Sequence, residues 1–169
     1  MQAFLDEMQA CVPALRRYAR ALTRDADRAD DLVQDCLERA IRKNGLFRPT
    51  GPLRAWLFRI LLNIYRNDAR DRRRNHESIP LEALPVEPSF PPPQPGRIAL
   101  GELARAMTAL PAEQREALLL VVIEGLSYEE AATALQIPQG TLMSRLARAR
   151  AGLRALTGTG DEPRLRTVK

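Results

Sequence analysis

Seven of the 13 prolines in this 169-residue chain fall between Pro80 and Gly96, in the stretch PLEALPVEPSFPPPQPG. Proline offers no amide proton to a helix or a sheet and favours extended backbone, so such a stretch cannot carry a core across itself. The chain is thereby divided into an N-terminal domain over residues 1–75, a flexible linker over 76–97, a C-terminal domain over 98–157 and a polar tail over 158–169. The linker also holds Glu77, Glu82 and Glu87, with no Lys or Arg between His76 and Gly96. Solubility accounts for that acidity; so does an extended acidic segment lying in a basic channel of a partner, where RNA would lie.

The flanking domains read as helical. Aromatic residues make up only 5% of the chain, against 45% hydrophobic and 28% charged, and Ala, Leu and Arg dominate, so the expected class is all-α with aliphatic seams. A net charge of +5 fits an anionic partner such as nucleic acid. Cys11 and Cys36 lie in apolar-periodic stretches and read as reduced core residues; with the single His76 they form no metal-ligand spacing. No apolar run reaches the roughly 18 residues of a membrane span, and the start Met1-Gln2-Ala3-Phe4 lacks a secretory pattern, so a cytoplasmic protein is expected. Neither a phosphate-cradling glycine loop, nor a nucleophile with its base, nor a paired-carboxylate site is present. The chain is therefore expected to act by binding, without cofactor, metal or small-molecule substrate.

In the first domain Phe4, Leu5, Met8, Val12, Leu15, Tyr18 and Leu22 follow the spacing of a helix face, with Pro13 starting or kinking a second piece. Asp25 suits the cap of a helix whose stripe is Ala29, Leu32, Val33, Cys36, Leu37, Ala40 and Ile41, ending near Gly45. After a loop, Pro52 suits the first turn of a third helix with Leu53, Trp56, Leu57, Ile60, Leu61 and Ile64 buried. Its other faces carry Arg54, Arg59, Asn63, Arg66, Asn67 and Arg70, then Arg72, Arg73 and Arg74. A solvated helix C-terminus explains an arginine run; arginines mixed with outward asparagines behind an aromatic-bearing loop also suit phosphate and base contact.

In the second domain a helix begun at Pro111-Ala112-Glu113 is expected to bury Leu118, Leu119, Val122 and Ile123 and to end at Gly125. Ser127 and Glu130 form a capping-box pattern for the next helix, whose Ala131, Ala132 and Leu135 allow close packing, and Gln136-Ile137-Pro138 makes a short turn. The last helix buries Leu142, Leu146, Ala149, Leu153 and Leu156, leaving Thr141, Ser144, Arg145 and Arg148 along one exposed flank. Helix, short turn and helix make a helix-turn-helix. Small or polar Gln139, Gly140, Thr141 and Ser144 at the start of its second helix permit close approach to base edges, and arginine can bond guanine or clamp phosphate. Arg150 and Arg154 lie on another flank and suit solvent, phosphate or a partner equally.

The stretch LPAEQREALLLVVIEGLSYEEAATALQIPQGTLMSRLARARAGLRAL closely resembles region 4 of bacterial sigma-70-family factors of the extracytoplasmic-function (ECF) group. ADDLVQDCLERAI and LRAWLFRILLNIYRNDARDRRR resemble that group's regions 2.2 and 2.3 to 2.4, in the family's order and separation. The resemblance implies that Asp31, Gln34 and Asp35 dock on the β′ clamp helices of core RNA polymerase. It implies that loop residues Phe47, Arg48, Pro49, Thr50 and Gly51, with Asn63, capture an unstacked base of the −10 strand, and that Arg66, Asn67 and Arg70 meet backbone or adjacent bases. Trp56 and Phe58 match aromatic positions of region 2.3; by spacing Trp56 reads as core, while Phe58 fits either role.

By the same resemblance Gln139, Gly140, Thr141, Ser144, Arg145 and Arg148 face the −35 duplex, the preceding helices meet the β flap, and the acidic linker threads toward the RNA exit channel. The chain would direct core polymerase to promoters, assist strand opening, and be restrained by an anti-sigma factor. The linker's proline density departs from the family pattern. The sequence ends without a large C-terminal extension, so regulation by an appended domain is not expected. A stand-alone helix-turn-helix regulator would need a sensing or dimerising first half, which residues 1–75 do not suggest. A sigma-like decoy for an anti-sigma factor would have no need of base-reading groups.

Overall fold

Apolar residues spaced three and four apart lay one stripe along each helix, and in the computed structural model those stripes turn inward. The structure describes residues 2–47, 51–76 and 95–158. Among these the regular structure is helical: α1 (Gln2–Thr23), α2 (Ala26–Arg42), a 3-10 turn (Asn44–Leu46), α3 (Leu53–His76), α4 (Pro95–Ala109), α5 (Ala112–Leu118) running into a π-helical turn (Leu119–Ile123), α6 (Tyr128–Leu135) and α7 (Gln139–Thr157). The linker residues Glu77, Glu82 and Glu87, the loop residues Arg48, Pro49 and Thr50, and the tail from residue 159 onward lie outside the described residues. No described helix is long and apolar enough to cross a membrane.

Helices α1, α2 and α3 pack against one another around Leu15, Tyr18, Leu32, Cys36, Leu57 and Leu61. Asp25 caps α2 by accepting from the Arg28 amide at 3.1 Å. Burial pushes the Cys36 thiol up to about 12, so it stays protonated in this core. Pro13 does not begin a new piece: α1 passes through it unbroken, with the proline on the exposed side. There the carbonyl that loses its helical partner can be solvated, which makes the proline tolerable. Ile41, expected in the α2 stripe, is exposed in the last turn of the helix.

The aromatic pair resolves in one direction. Phe58 is wholly buried and meets Tyr18 edge-on, with ring centroids 5.2 Å apart. Trp56 is only half-buried and joins Phe4 and Phe47 at the domain's rim. Two positions along a helix are about 200° apart, so the two rings face opposite sides and only one can point at α1.

In the second domain α4 to α7 close over Leu110, Leu120, Leu126, Leu135, Leu142 and Leu146. The π turn changes the expected register. The Glu124 amide donates to the Leu119 carbonyl at 3.1 Å, five residues back, and the extra residue in the turn carries the following side chains off the 3.6-residue stripe. Val122 and Ile123 therefore face outward at 57% and 55% exposure, and Glu124 turns inward at 4%. Gly125, at φ +65°, reverses the chain in the left-handed region that suits glycine. Leu156, expected in the core, is exposed because α7 outruns the helices beneath it.

The domains do not hang apart. Helix α6 lies against α3, the π turn touches α1, and the buried apolar residues of both domains form one continuous cluster. Phe58→Ala should destabilise the chain by about 3–5 kcal/mol, and Trp56→Ala by clearly less; urea unfolding followed by circular dichroism checks the order. Equal losses would contradict the division of roles between the two rings.

Candidate nucleic-acid interface

The second helix of the helix-turn-helix is held from its N-terminal side. Ser127 accepts from the Glu130 amide at 3.1 Å while Glu130 accepts from the Ser127 amide at 2.8 Å, so both ends of the capping box are made. Gln136, at φ +57°, ends α6 in the left-handed conformation, and Pro138 precedes the first turn of α7. Leu142, Leu146 and Ala149 anchor α7, and Gly152 lets it lie close to Leu110. Gln139, Gly140, Thr141, Ser144 and Arg148 are all exposed on the free side. The Ser144 hydroxyl donates to the Gly140 carbonyl at 3.1 Å, a local bond that an outside acceptor can replace.

Arg145 differs from its neighbours. Its side chain is 17% exposed and forms an ion pair with Glu113 of α5 at 3.1 Å, so it is steered rather than free. Glu113, Arg145 and Arg148, with Thr141 and Ser144, rim one shallow depression between the starts of α5 and α7. A guanidinium held at one end keeps donors free at the other and loses less freedom on meeting an acceptor.

On α3 the basic face divides in two. Asn63, Asn67 and Arg70 are exposed. Arg66, expected beside them, is drawn to the domain seam, where its Nη2 and Nε donate to Glu116 at 2.5 and 3.4 Å. That bond holds the Arg66 guanidinium still more firmly protonated. Arg54 is likewise turned inward, donating to the backbone carbonyl of Glu124 and, at 3.5 Å, to its carboxylate. In the preceding loop Gly51 is exposed, whereas Phe47 packs on Trp56 with centroids 5.3 Å apart and is not presented to a base in this arrangement. On α2, Asp31, Gln34 and Asp35 are exposed along one side, and Gln34 donates to Glu38 at 3.3 Å.

Two residues escape sequence reasoning altogether. Glu116 and Glu124, 3% and 4% exposed, are the buried charged residues among those described, and both lie in the seam. A signal existed: in EALLLVVIE they bracket an unbroken apolar run, Ala117 to Ile123, too wide for one face of a helix, so a flanking glutamate had to share its burial. Among the described residues no cluster of His, Cys, Asp or Glu could hold a metal.

Residues 8–62 match the Sigma2 domain of PhyR, and residues 100–153 match sigma-70 region 4. An ECF RNA polymerase sigma factor, EcfG of Rhodopseudomonas palustris, is 44% identical over 151 residues, which are 89% of this chain and 83% of that one. The chain belongs to the ECF RNA polymerase sigma factors. This sigma factor superposes on the sigma factor RpoE of Bartonella quintana, solved in complex with the anti-sigma factor NepR, with a TM-score of 0.77 and 35% identity over 95% of its own length and 100% of that chain. CnrH, solved in complex with the cytosolic domain of CnrY, gives a TM-score of 0.70 and 31% identity over 95% of this sigma factor and 90% of that chain.

The capping box sets where α6, the first helix of the helix-turn-helix, begins. Ser127→Ala should lower unfolding stability by about 1 kcal/mol, and Ser127→Asp, which keeps an accepting oxygen, should recover most of it in chemical denaturation. No recovery by the aspartate would show that the hydroxyl acts through something other than the cap.

Proposed function

We propose that this sigma factor directs core RNA polymerase to promoters through three surfaces and acts by binding alone, in the cytoplasm beside the polymerase. The observation that carries the reading is the pairing, in one chain, of an outward Asn63, Asn67 and Arg70 face on α3 with an outward Thr141, Ser144 and Arg148 face on α7. Residues 1–75 would serve the polymerase and the −10 strand, residues 98–157 the −35 duplex. Asn63 suits an unstacked base, because edge hydrogen bonds become available once a base leaves the duplex, and Arg70 suits the adjoining phosphates. Gln139, Gly140 and Thr141 admit close approach to a major groove, with Arg145 and Arg148 for guanine or phosphate. The acidic side of α2, with Asp31, Gln34 and Asp35, is the surface for the β′ clamp helices. The acidic segment that carries Glu77, Glu82 and Glu87 between α3 and α4 would lie toward the RNA exit channel.

An anti-sigma factor is the second partner, by analogy with the complexes of RpoE and CnrH. The described chain offers it a receptor: a groove of about 780 Å³ between the domains, floored by Leu103, Leu119, Val122 and Ile123 and flanked by Arg24 and Arg150. Apolar floor and basic walls suit an amphipathic helix with acidic flanks.

Run-off transcription with core polymerase tests the function: promoter-dependent transcripts should appear only when this protein is added. Absence of stimulation on every template would favour a sigma-like decoy instead. Asn63→Ala should abolish most transcription from duplex promoters while leaving core binding intact. Arg145→Ala and Arg148→Ala should weaken promoter binding of the holoenzyme by about 1–3 kcal/mol for a guanine contact, read by mobility shift. Unchanged affinity and sequence preference in both arginine variants would remove α7 from the −35 surface.

A further inference from the structure

Two arginines reach the depression at the start of α7, and they arrive there differently. Ser144 and Arg148 project from the exposed side of α7, away from the buried Leu142, Leu146 and Ala149. Arg145 stands at the edge of the buried stripe, directly before Leu146, so it leaves the helix toward α5 rather than toward solvent. There it meets Glu113, in the first turn of α5, whose carboxylate forms an ion pair with the guanidinium at 3.1 Å.

The two ends of this pair are unlike. The Arg145 side chain is 17% exposed and that of Glu113 69%. With Thr141, Ser144 and Arg148 they line a depression of about 340 Å³, and Glu113 is the acid of that lining. A guanidinium carries more N–H donors than one carboxylate can accept, so Arg145 keeps donors for a second acceptor while the pair stands.

An exposed carboxylate is out of place on a surface that binds DNA by charge. It repels every phosphate alike and so weakens binding to any sequence. It also competes with phosphate for the Arg145 guanidinium, which an unheld arginine would give to the nearest backbone oxygen. Guanine is a different acceptor, because its O6 and N7 lie in one plane at the edge of the base and match a fork already set in direction. Holding Arg145 therefore lowers affinity for DNA in general and widens the difference between sequences. As a duplex covers the depression and water leaves it, the attraction between Glu113 and Arg145 strengthens.

We propose that Glu113 is a specificity-determining residue of the −35 surface: it positions Arg145 to read guanine and withholds that guanidinium from the phosphate backbone. The proposal rests on the sigma-factor reading and divides the two arginines by task. Arg145 carries sequence preference through Glu113, whereas Arg148, exposed and outside the pair, supplies affinity at backbone or base. Glu113 itself touches no base; it acts through the side chain it holds.

The test uses holoenzyme assembled from core polymerase and the full chain. Its targets are a duplex from which wild type makes run-off transcripts, copies with each −35 G·C pair changed in turn to A·T, and a promoterless fragment of equal length. Affinities are read by mobility shift over a range of salt. For wild type one of the G·C changes should cost about tenfold, and Arg145→Ala should erase that preference. Glu113→Gln, which keeps the size and removes the charge, should erase most of the same preference. It should also bind the promoterless fragment about threefold tighter, with a slope of log affinity against log salt steeper by about 0.9. In the Arg145→Ala background, Glu113→Gln should leave sequence preference where it stands. A Glu113→Gln variant with wild-type preference and salt slope would overturn the proposal. So would a loss of affinity equal on every duplex, the mark of a merely structural role. A wild type that drives no promoter-dependent transcription would instead sink the sigma-factor reading, whatever Glu113 does.

Discussion

An ionised glutamate is tolerated in a buried seam only where a complementary charge or donors reach it, and this chain meets that condition twice with guanidinium groups. Glu116 and Glu124 enter the seam from one side, and Arg66, Arg17 and Arg54 come from the other. Apolar burial draws the domains together without dictating how they face each other. The ion pairs supply the direction: they settle which turn of α3 lies beside α5 and bring the π turn down on α1. Tyr18 completes the seam, its phenol held well above the ordinary range by burial and by the Glu116 charge, so that it remains a donor.

What that seam leaves outside is as informative as what it covers. The acidic side of α2, the Asn63 and Asn67 face of α3, and the first turns of α7 all remain exposed. Arg66 alone among the expected α3 contacts is withdrawn, into a bond with Glu116. Closure also creates the basic-walled groove between α1, α3, α4 and the π turn, a surface that neither domain has by itself. One packing therefore forms that groove while leaving the Asn63 face of α3 and the first turn of α7 exposed.

Much of the fold was legible because its causes are local. Asp25, Ser127 with Glu130, and Gly125 announce helix ends through atoms a few residues away, and the stripes of α2 and α3 follow from spacing alone. The misplacements have separate origins, one in a helix that is not uniform and the others in partners on other helices. Val122 and Ile123 left the core because a π turn inserts a residue that a 3.6 period cannot foresee. Trp56 and Phe58 were ranked by spacing, yet the ring that reaches Tyr18 is Phe58, since α1 approaches α3 from that side. Arg145 read as free because Glu113, on another helix, is not its neighbour in sequence.

The sequence by itself determined that this chain is helical and that its last third carries a helix-turn-helix within a sigma-factor pattern. Each of these rests on periodicity, capping or motif, set by residues within a few turns of one another. Only the tertiary structure decided that the two helical units pack on each other, that Glu116 and Glu124 are buried, and that Arg66 is drawn into the seam. Those outcomes depend on partners 50 and 107 positions apart, as in Arg66 with Glu116 and Arg17 with Glu124. A buried charge is stable only where a complementary one arrives from elsewhere in the fold, and no local pattern records that arrival.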